Sequence, residues 1–565
     1  MFQLRPGITN LLKDGSRAFS GLDEAVLRNI EACVNLSEMT QTSYGPNSMN
    51  KLIVNHLGKQ FITSDLTTII EELDIQHPAA NMVVMACKRQ AEEYGDATNT
   101  VLIFAGELLR NAAKLLNDNG LHPSDIVAGY EIALERSLSL LNGMVAHRVA
   151  NFKNVEDLSG IVRSLILTKN IGYSDLITRL TCEAITSIMP DEDKLKEFNI
   201  DNVRIVKLLG GSPMQSFTIN GMMVNREPGG TIRNLERVSN VMVLGCGLEM
   251  TGTEAKGTVV LNNAQELLDF TRGEESLVEN LIKDIKQTGK IDAIIAGGPI
   301  SDIAQHFCNK YDILTLRITS KWELRRICRS IGAVAMVRLG VPLPEEVGKA
   351  SSIRVEEIGS KKVTVINALN TKVSSVILRG ATQGMLDEME RAIANSVSVV
   401  KSSTKDNRFV AGAGATFAEL SRCLRTYDKS KSECQQNSAD VPVPGMEEYA
   451  VNMFAEALDV FPRLLAENSG LNSTDLLASL HAVHQQGSQP HKGINVFCRS
   501  ETSPIIDCIS NTEQGVGLIV DHLGTLCSAL KLATDSAVTI LKIDEIIMAK
   551  PAGGPKPRSQ NDDMD

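Results

Sequence analysis

Aromatic residues are scarce: phenylalanine, tyrosine and tryptophan make up 4% of the 565 residues, with one tryptophan, Trp322. Platforms that stack single-stranded nucleic acid need aromatic faces. Binding to a phosphate backbone needs a basic surface, which a formal charge of −11 opposes. Nucleic acid is therefore not expected as a partner. No apolar run reaches the roughly eighteen residues that a membrane-spanning helix requires. The opening "MFQLRPGITNLLKDGSRAFS" lacks the apolar core and small-residue cleavage site of a secretory signal. No membrane partner is expected, and the cytoplasm is the expected location. The eleven cysteines are scattered without a C-x-x-C pair, which suits reduced, buried thiols better than a disulfide framework or a zinc knuckle. His481 and His484 in "HAVH", with His491 beyond, lack the Glu of an H-E-x-x-H helix and any cysteine partner. They read as histidines on a helix surface.

What is present is a globular composition, 43% hydrophobic and 22% charged, in a chain too long for one core. The first 150 residues read as helical. In "NTVLIFAGELLRNAAKLLNDNG" the residues Val101, Phe104, Ala105, Leu108, Leu109, Ala112, Leu115 and Leu116 fall at helical spacing, which predicts one buried stripe ended at Gly120. Another helix is expected after Ser124. The middle has short Gly-bounded strands, "VRIVKLLGG", "VMVLGCG", "DAIIAGG", "ILTLRI" and "SSVILRG", with helical stretches between several of them. That alternation predicts an α/β module over about 220–374. Beyond about 405 the helices return in "MEEYAVNMFAEALDVFPRLLAENSG" and "LCSALKLATDSAVTILKIDEIIMAK", and the Pro/Gly/charge-rich end "PAGGPKPRSQNDDMD" reads as a disordered tail. Helical material at both ends thus flanks an inserted α/β region.

The hexapeptide "GDATNT" (95–100) precedes the first of these helices. A helix start carries free N–H groups and partial positive charge, so it can hold a phosphate, with Asp96 holding the accompanying magnesium. Equally, Asp96 or Thr98 can serve as an ordinary helix cap. The hexapeptide alone leaves both open.

Its neighbours narrow the choice. The strings "SYGPNSMNKLIVNHLGK" (43–59), "TSDLTTIIEELDIQHPAA" (63–80), "GDATNTVLIFAGELL" (95–109), "FNIDNVRIVKLLGG" (198–211), "TEAKGTVVL" (253–261), "SKWELRRICRSIGA" (320–333), "ILRGAT" (377–382), "RLLAENSG" (463–470) and "IDEIIMAKPAGGPKPR" (543–558) occur in order. Together they resemble a subunit of a group II chaperonin, over essentially the whole chain. The resemblance implies a multidomain α/β fold: a mostly helical equatorial ATP-binding domain (1–150 and 405–565), a hinge-like intermediate domain (151–219 and 375–404), and an apical substrate-binding domain (220–374) with a helical protrusion. It also implies ATP or ADP with Mg2+ as cofactors, other chaperonin subunits in a hetero-oligomeric double ring as partners, and non-native proteins such as actin and tubulin as clients. By the same resemblance Gly95, Asp96, Ala97, Thr98, Asn99 and Thr100 form the phosphate loop, with Asp96 the metal ligand. Tyr44, Gly45 and Pro46 form a first nucleotide-contacting turn. Thr168 and Lys169 match a Ser/Thr-Lys pair, Gly412 and Gly414 a Gly-rich turn near base and sugar, and Asp521 an acidic residue at the ribose.

The resemblance also exposes departures. The family activates the attacking water with a carboxylate in a string like E-R-x-x-x-D. Here "ERAIANSV" puts Asn395 at that position, on one helix stripe with Glu388 and Arg391. An amide cannot accept the proton, so hydrolysis is expected to be weakened or lost. Asp65 matches a second acidic residue that helps place the water. Ala97 and Ser48 replace family glycines, at about 1–2 kcal/mol each if the backbone there needs positive φ. Phe417 stands where the family often has Glu, although Glu419 remains. In the apical region Leu267, Leu268 and Phe270 read as core or client-facing residues, core being the commoner fate of such spacing.

Overall fold

The computed structural model describes residues 17–548 except 21–24, 56, 150, 170, 191–194, 196, 250–262, 360, 370–371, 427–444, 486–488, 498–502 and 510–516. The string at 253–261, the expected tail at 551–565 and the side chains of Leu267, Leu268 and Phe270 lie outside what is described. The chain forms two compact units, one of Met1–His147 with Phe409–Asp565 and one of Arg148–Arg408.

The first unit begins with strand Arg17–Ser20, which pairs antiparallel with Glu545–Met548 from the other end of the chain. Helix α1 (Leu27–Gln41), the hairpin Lys51–Val54/Gln60–Thr63, and helices α2 (Leu66–Glu72), α3 (Pro78–Glu93), α4 (Thr98–Asn117) and α5 (Pro123–Gly143) follow. α4 is the middle of this unit, packed against α1, α3 and, from the returning chain, the two helices Glu447–Leu458 and Leu523–Leu541. The eight residues of the expected stripe are all buried, but so are Leu102, Ile103, Gly106, Glu107 and Asn111. A single stripe is therefore an underestimate: neighbours on several sides leave α4 little solvent face. Gly106 shows how close they come, since a β-carbon there would sit 2.4 Å from that of Ser37 on α1. Gly120 at φ +65° stops the chain just beyond α4, as expected.

In the second unit α6 (Val155–Leu167), α7 (Ser174–Ile188) and α11 (Gln383–Ser403) pack about a three-stranded sheet ordered Val203–Leu209, Ser374–Gly380, Phe217–Ile219. α8 (Ala264–Gly289), α9 (Asp302–Lys310) and α10 (Lys321–Ile331) accompany a six-stranded sheet ordered Leu314–Arg317, Ala293–Ala296, Ser239–Leu244, Gly348–Ile358, Lys361–Ala368, Gly221–Val224. The five strings read as strands all form strands. Those of Ala293–Ala296 and Ser239–Leu244 are apolar because two separate clusters cover the sheet, around Val241/Ile295 and around Met242/Ile294.

The returning chain adds α12 (Ala415–Arg425), α13 (Glu447–Leu458), α14 (Val460–Asn468), α15 (Ser473–Gln485) and α16 (Leu523–Leu541). Two expected long helices are shorter than their patterns. The first breaks at Asp459 because Pro462 has no N–H for the Leu458 carbonyl. The second ends at Leu541, and its last residues pair with the N-terminal strand instead. Phe104 meets Phe454 edge-on at 5.2 Å between ring centroids and lies fully buried. Phe104→Ala should lower stability by about 3–5 kcal/mol, read as a fall in the denaturant midpoint of the first unit's transition. Met39→Ser on exposed surface should leave it unchanged.

Candidate nucleotide site

Neither Asp96 nor Thr98 occupies the cap position of α4. The cap position is Ala97, held left-handed at φ +61°, whose methyl group can accept no bond from the first amides of this twenty-residue helix. Gly95 at φ +74° precedes it, and Gln90 Nε2 fixes the turn by donating to the Asp96 carbonyl at 3.1 Å. The same Gln90 nitrogen donates to the Thr525 carbonyl at 3.2 Å, tying the turn to α16. Ala97 therefore carries the backbone strain anticipated for a replaced glycine. Ser48 has no positive φ, so its exchange carries no such strain.

Around this helix start the structure gathers residues far apart in sequence. Asp521 lies on strand Val520–His522, paired with Phe409–Ala411 so that it stands opposite Val410. Burial pushes its carboxyl up to about 7, and the negative charge of Asp96 adds to that. Tyr44 joins them: burial, then Asp521, then Asp96 raise its phenol, against the opposing effect of Thr100. Asn99 Nδ2 donates to the Ser43 carbonyl at 3.1 Å, while its Oδ1 is buried without a hydrogen-bond partner. Two carboxylates in mutual repulsion beside open helix amides suit a ligand carrying both a cation and an anion. A magnesium-bound phosphate has that character.

The other expected turns are shaped by packing. Gly45 sits at φ +90°, and a β-carbon there would lie 2.8 Å from Leu465 Cδ2. Pro46 follows it, partly buried. Asn468, at the end of α14, donates to the carbonyls of Tyr44 at 2.7 Å and Gln41 at 3.1 Å. The Tyr44 turn is thus held from a distant segment. Asn468 lies inside "RLLAENSG", a string that carried the resemblance without any assigned role. In the Gly-rich turn Gly414 (φ +78°) begins α12, again without a side-chain cap, and Ala413 also takes positive φ (+53°). Gly412 is needed for space rather than φ, because a β-carbon would meet Ile519 at 3.0 Å. Phe417 is core, 4.1 Å from the Phe461 ring centroid.

Asp65 is buried and caps α2, its Oδ2 accepting from the Thr68 amide and hydroxyl at 3.4 Å each. In the second unit Thr168 is exposed, ends α6, and donates its hydroxyl to the Leu165 carbonyl. Lys169 and Asn395 are brought together. With the amide oriented to satisfy both sides, Asn395 Oδ1 accepts from Lys169 Nζ at 3.2 Å and Nδ2 donates to the Arg391 carbonyl at 3.3 Å. Arg391 in turn pairs with Glu388 at 2.6 Å, so the expected polar stripe exists.

The histidine expectation needs correction. His484 is buried, not on the surface: Nδ1 meets Glu419 Oε2 at 2.8 Å and Nε2 the Lys492 carbonyl at 2.9 Å. Helix spacing cannot reveal this, because α12 and the strand Lys492–Ile494 supply the cover. Burial would raise the Glu419 carboxyl, but His484 and Arg422 overcome it and hold the group down at about 2. Among the described residues no cluster of three metal-ligating side chains is found, and no helix is long and apolar enough to cross a membrane.

Sequence comparisons extend over nearly the whole chain. The family model described as the TCP-1/cpn60 chaperonin family matches residues 36–551. T-complex protein 1 subunit theta of Homo sapiens is 40% identical over 562 residues, 99% of this chain and 98% of that protein. The subunit theta of Dictyostelium discoideum is 40% identical over 553 residues, 98% of each chain. The probable subunit theta of Schizosaccharomyces pombe is 39% identical over 557 residues, 98% and 97% respectively.

Two outcomes follow from this geometry. Ala97→Gly should raise stability by about 0.5–1 kcal/mol in chemical denaturation, since glycine accepts positive φ. Ala113→Gly, inside α4, should lower it by about 1 kcal/mol. Separately, a carboxyl that binds its proton more tightly when folded makes stability fall as pH rises from about 4 to about 7. Without divalent metal, Asp521→Asn should therefore be more stable than the parent by on the order of 2 kcal/mol at pH 8, the gap closing toward pH 4.

Proposed function

The chain belongs to the TCP-1/cpn60 chaperonin family, and from that premise we propose that it is a theta-type subunit of a cytoplasmic hetero-oligomeric double ring. It binds ATP and helps enclose non-native polypeptides, actin and tubulin among them, with its own hydrolysis weakened. In this reading the first unit is the equatorial domain. The second unit holds the intermediate segments (151–219 and 375–404) and the apical one (220–374). The observation that carries nucleotide binding is the start of α4, left-handed at Ala97, beside Asp96 and Asp521. Asp96 holds Mg2+, and Asp521 lies within reach of its charge. The loop amides from Ala97 to Thr100 receive the phosphate oxygens. Tyr44, Gly45 and Pro46, braced by Asn468, close one side, and the turn at Gly412–Gly414 another. Bound magnesium supplies neutralisation of phosphate charge; every other contribution comes from these side chains and amides.

The weakened hydrolysis rests on Asn395. A carboxylate there would take a proton from water and form an ion pair with Lys169. The amide forms a neutral hydrogen bond with Lys169 and takes no proton. Asp65, the remaining acid, already serves α2 as its cap. A second reading, a nucleotide-binding subunit that does not hydrolyse at all, is favoured by that same pair of observations. Ring membership draws support from the hairpin 51–63, which leaves Leu52, Val54, Leu57 and Ile62 more than half exposed, an apolar patch suited to a partner chain.

The test is single-turnover ATP hydrolysis by the full chain in rings whose other subunits are inactive, beside Asn395→Asp. The parent should be raised in melting temperature by Mg-ATP yet turn over about 10²–10⁴ times more slowly than the variant. Equal rates would defeat the weakened-hydrolysis reading. Absence of any Mg-ATP shift, in the parent and in Asp96→Ala alike, would defeat nucleotide binding itself.

A further inference from the structure

The dipeptide Asn-Gly occurs three times in the chain, at 119–120, 142–143 and 220–221. In this dipeptide the asparagine carboxamide carbon is within reach of the glycine amide nitrogen, which no side chain shields, so a five-membered ring can close spontaneously. Closure needs a carboxamide that is not held and a glycine amide that is not committed to a hydrogen bond. The fold, rather than the dipeptide, sets both.

At Asn142–Gly143 neither freedom exists. Asn142 Nδ2 donates to the Leu138 carbonyl at 3.1 Å, and Gly143 is the last residue of α5, its amide within the helical hydrogen-bond ladder. At Asn220–Gly221 the asparagine is exposed, but the backbone on either side is fixed. The Asn220 carbonyl accepts from the Ala368 amide at 3.3 Å, and Gly221 is buried in the strand Gly221–Val224, opposite Asn367. A β-carbon on Gly221 would lie 2.1 Å from the Ile366 carbonyl oxygen, which leaves the backbone no room to swing. Asn119–Gly120 differs in each respect. Both residues are exposed just beyond the end of α4. Among the described residues the Asn119 carboxamide has no hydrogen-bond partner and the Gly120 amide has no acceptor. Gly120 holds φ +65°, and nothing lies within 4 Å of the place a β-carbon would take.

We propose that Asn119 is a site of covalent modification, by deamidation through a cyclic imide. The Gly120 amide nitrogen loses its proton to water and bonds to Asn119 Cγ. The Cγ–Nδ2 bond breaks, and the nitrogen takes up a proton and leaves as ammonia. Water then adds to either carbonyl of the imide and opens the ring, to aspartate or, with the backbone rerouted through the side chain, to isoaspartate. Water is the one co-reactant, and no electrons change hands. Either product places a new negative charge beside Asp118 at the carbonyl end of α4, where the helix dipole disfavours it. The site is independent of the nucleotide reading and shares no residue with it.

The test is peptide mass spectrometry of the full chain aged in its folded state at mildly alkaline pH, beside the same chain aged in denaturant. The three dipeptides fall in separate tryptic peptides, 115–136, 137–148 and 208–226, so each one-dalton gain is read on its own. In the folded chain the peptide 115–136 should gain mass at least about tenfold faster than the other two, whose sites must first open locally. In denaturant all three should react at similar rates. Asn119→Gln, whose longer side chain would have to close a less favourable six-membered ring, should abolish the gain in 115–136 and keep the parent's melting temperature. Equal gain by 137–148 or 208–226 in the folded chain would overturn the proposal. So would an unchanged 115–136 over a period in which the denatured chain reacts, or a gain that persists in Asn119→Gln.

Discussion

Burial of α4 among α1, α3, α13 and α16 is the constraint on which the first unit depends, because this one helix is both core and site. Its flanks exclude water along nearly its whole length, so its position cannot drift. Its cap residue, Ala97, has no side chain that can accept from the first turn. A helix held this firmly can leave its N–H groups unsatisfied, whereas a marginal surface helix deprived of its cap would fray. Rigid packing behind the first turn therefore makes an uncapped start tolerable, and the uncapped start is what an anionic ligand meets.

The charges around that start follow the same logic. Asp96 and Asp521 come from opposite ends of the chain and are held together by a strand pair and a helix, although like charges repel. The Tyr44 turn is anchored by Asn468 from α14, and the turn at Gly95–Ala97 by Gln90 with α16. Each functional turn is thus tied to a helix from the other end of the chain. Backbone strain appears in the same turns: Ala97 and Ala413 take left-handed conformations that glycine would adopt more easily, and rigid surroundings keep them there. In the second unit the corresponding feature is a neutral one. Asn395 and Lys169 are in contact, but without the charge that would turn the contact into an ion pair.

Carboxylate–histidine pairs add a further contrast. Glu419 on α12 bonds His484 on α15, whereas Asp459 at the α13–α14 break stands 3.4 Å from His481 on the same α15. The first is also bonded to Arg422 and the Lys492 carbonyl, and in the second Asp459 accepts from Arg425.

Local chemistry was legible in the residues themselves. The alternation of Gly-bounded apolar strands with helices, the helical spacing from Val101 to Leu116, and the ordered family strings are short-range patterns, and they announced the α/β class, the family and the central helix. Asn395 was legible as a departure for the same reason, since it is one position in a helical stripe. Tertiary structure alone decided the rest. That α4 is surrounded rather than striped, that Ala97 is left-handed while Ser48 is not, that Asp521 faces Asp96, that Asn468 holds Tyr44 and that His484 is buried all depend on partners far away in sequence. Helical periodicity can say which way a side chain points, but only the packing of distant segments decides whether protein, another charge or open space lies there.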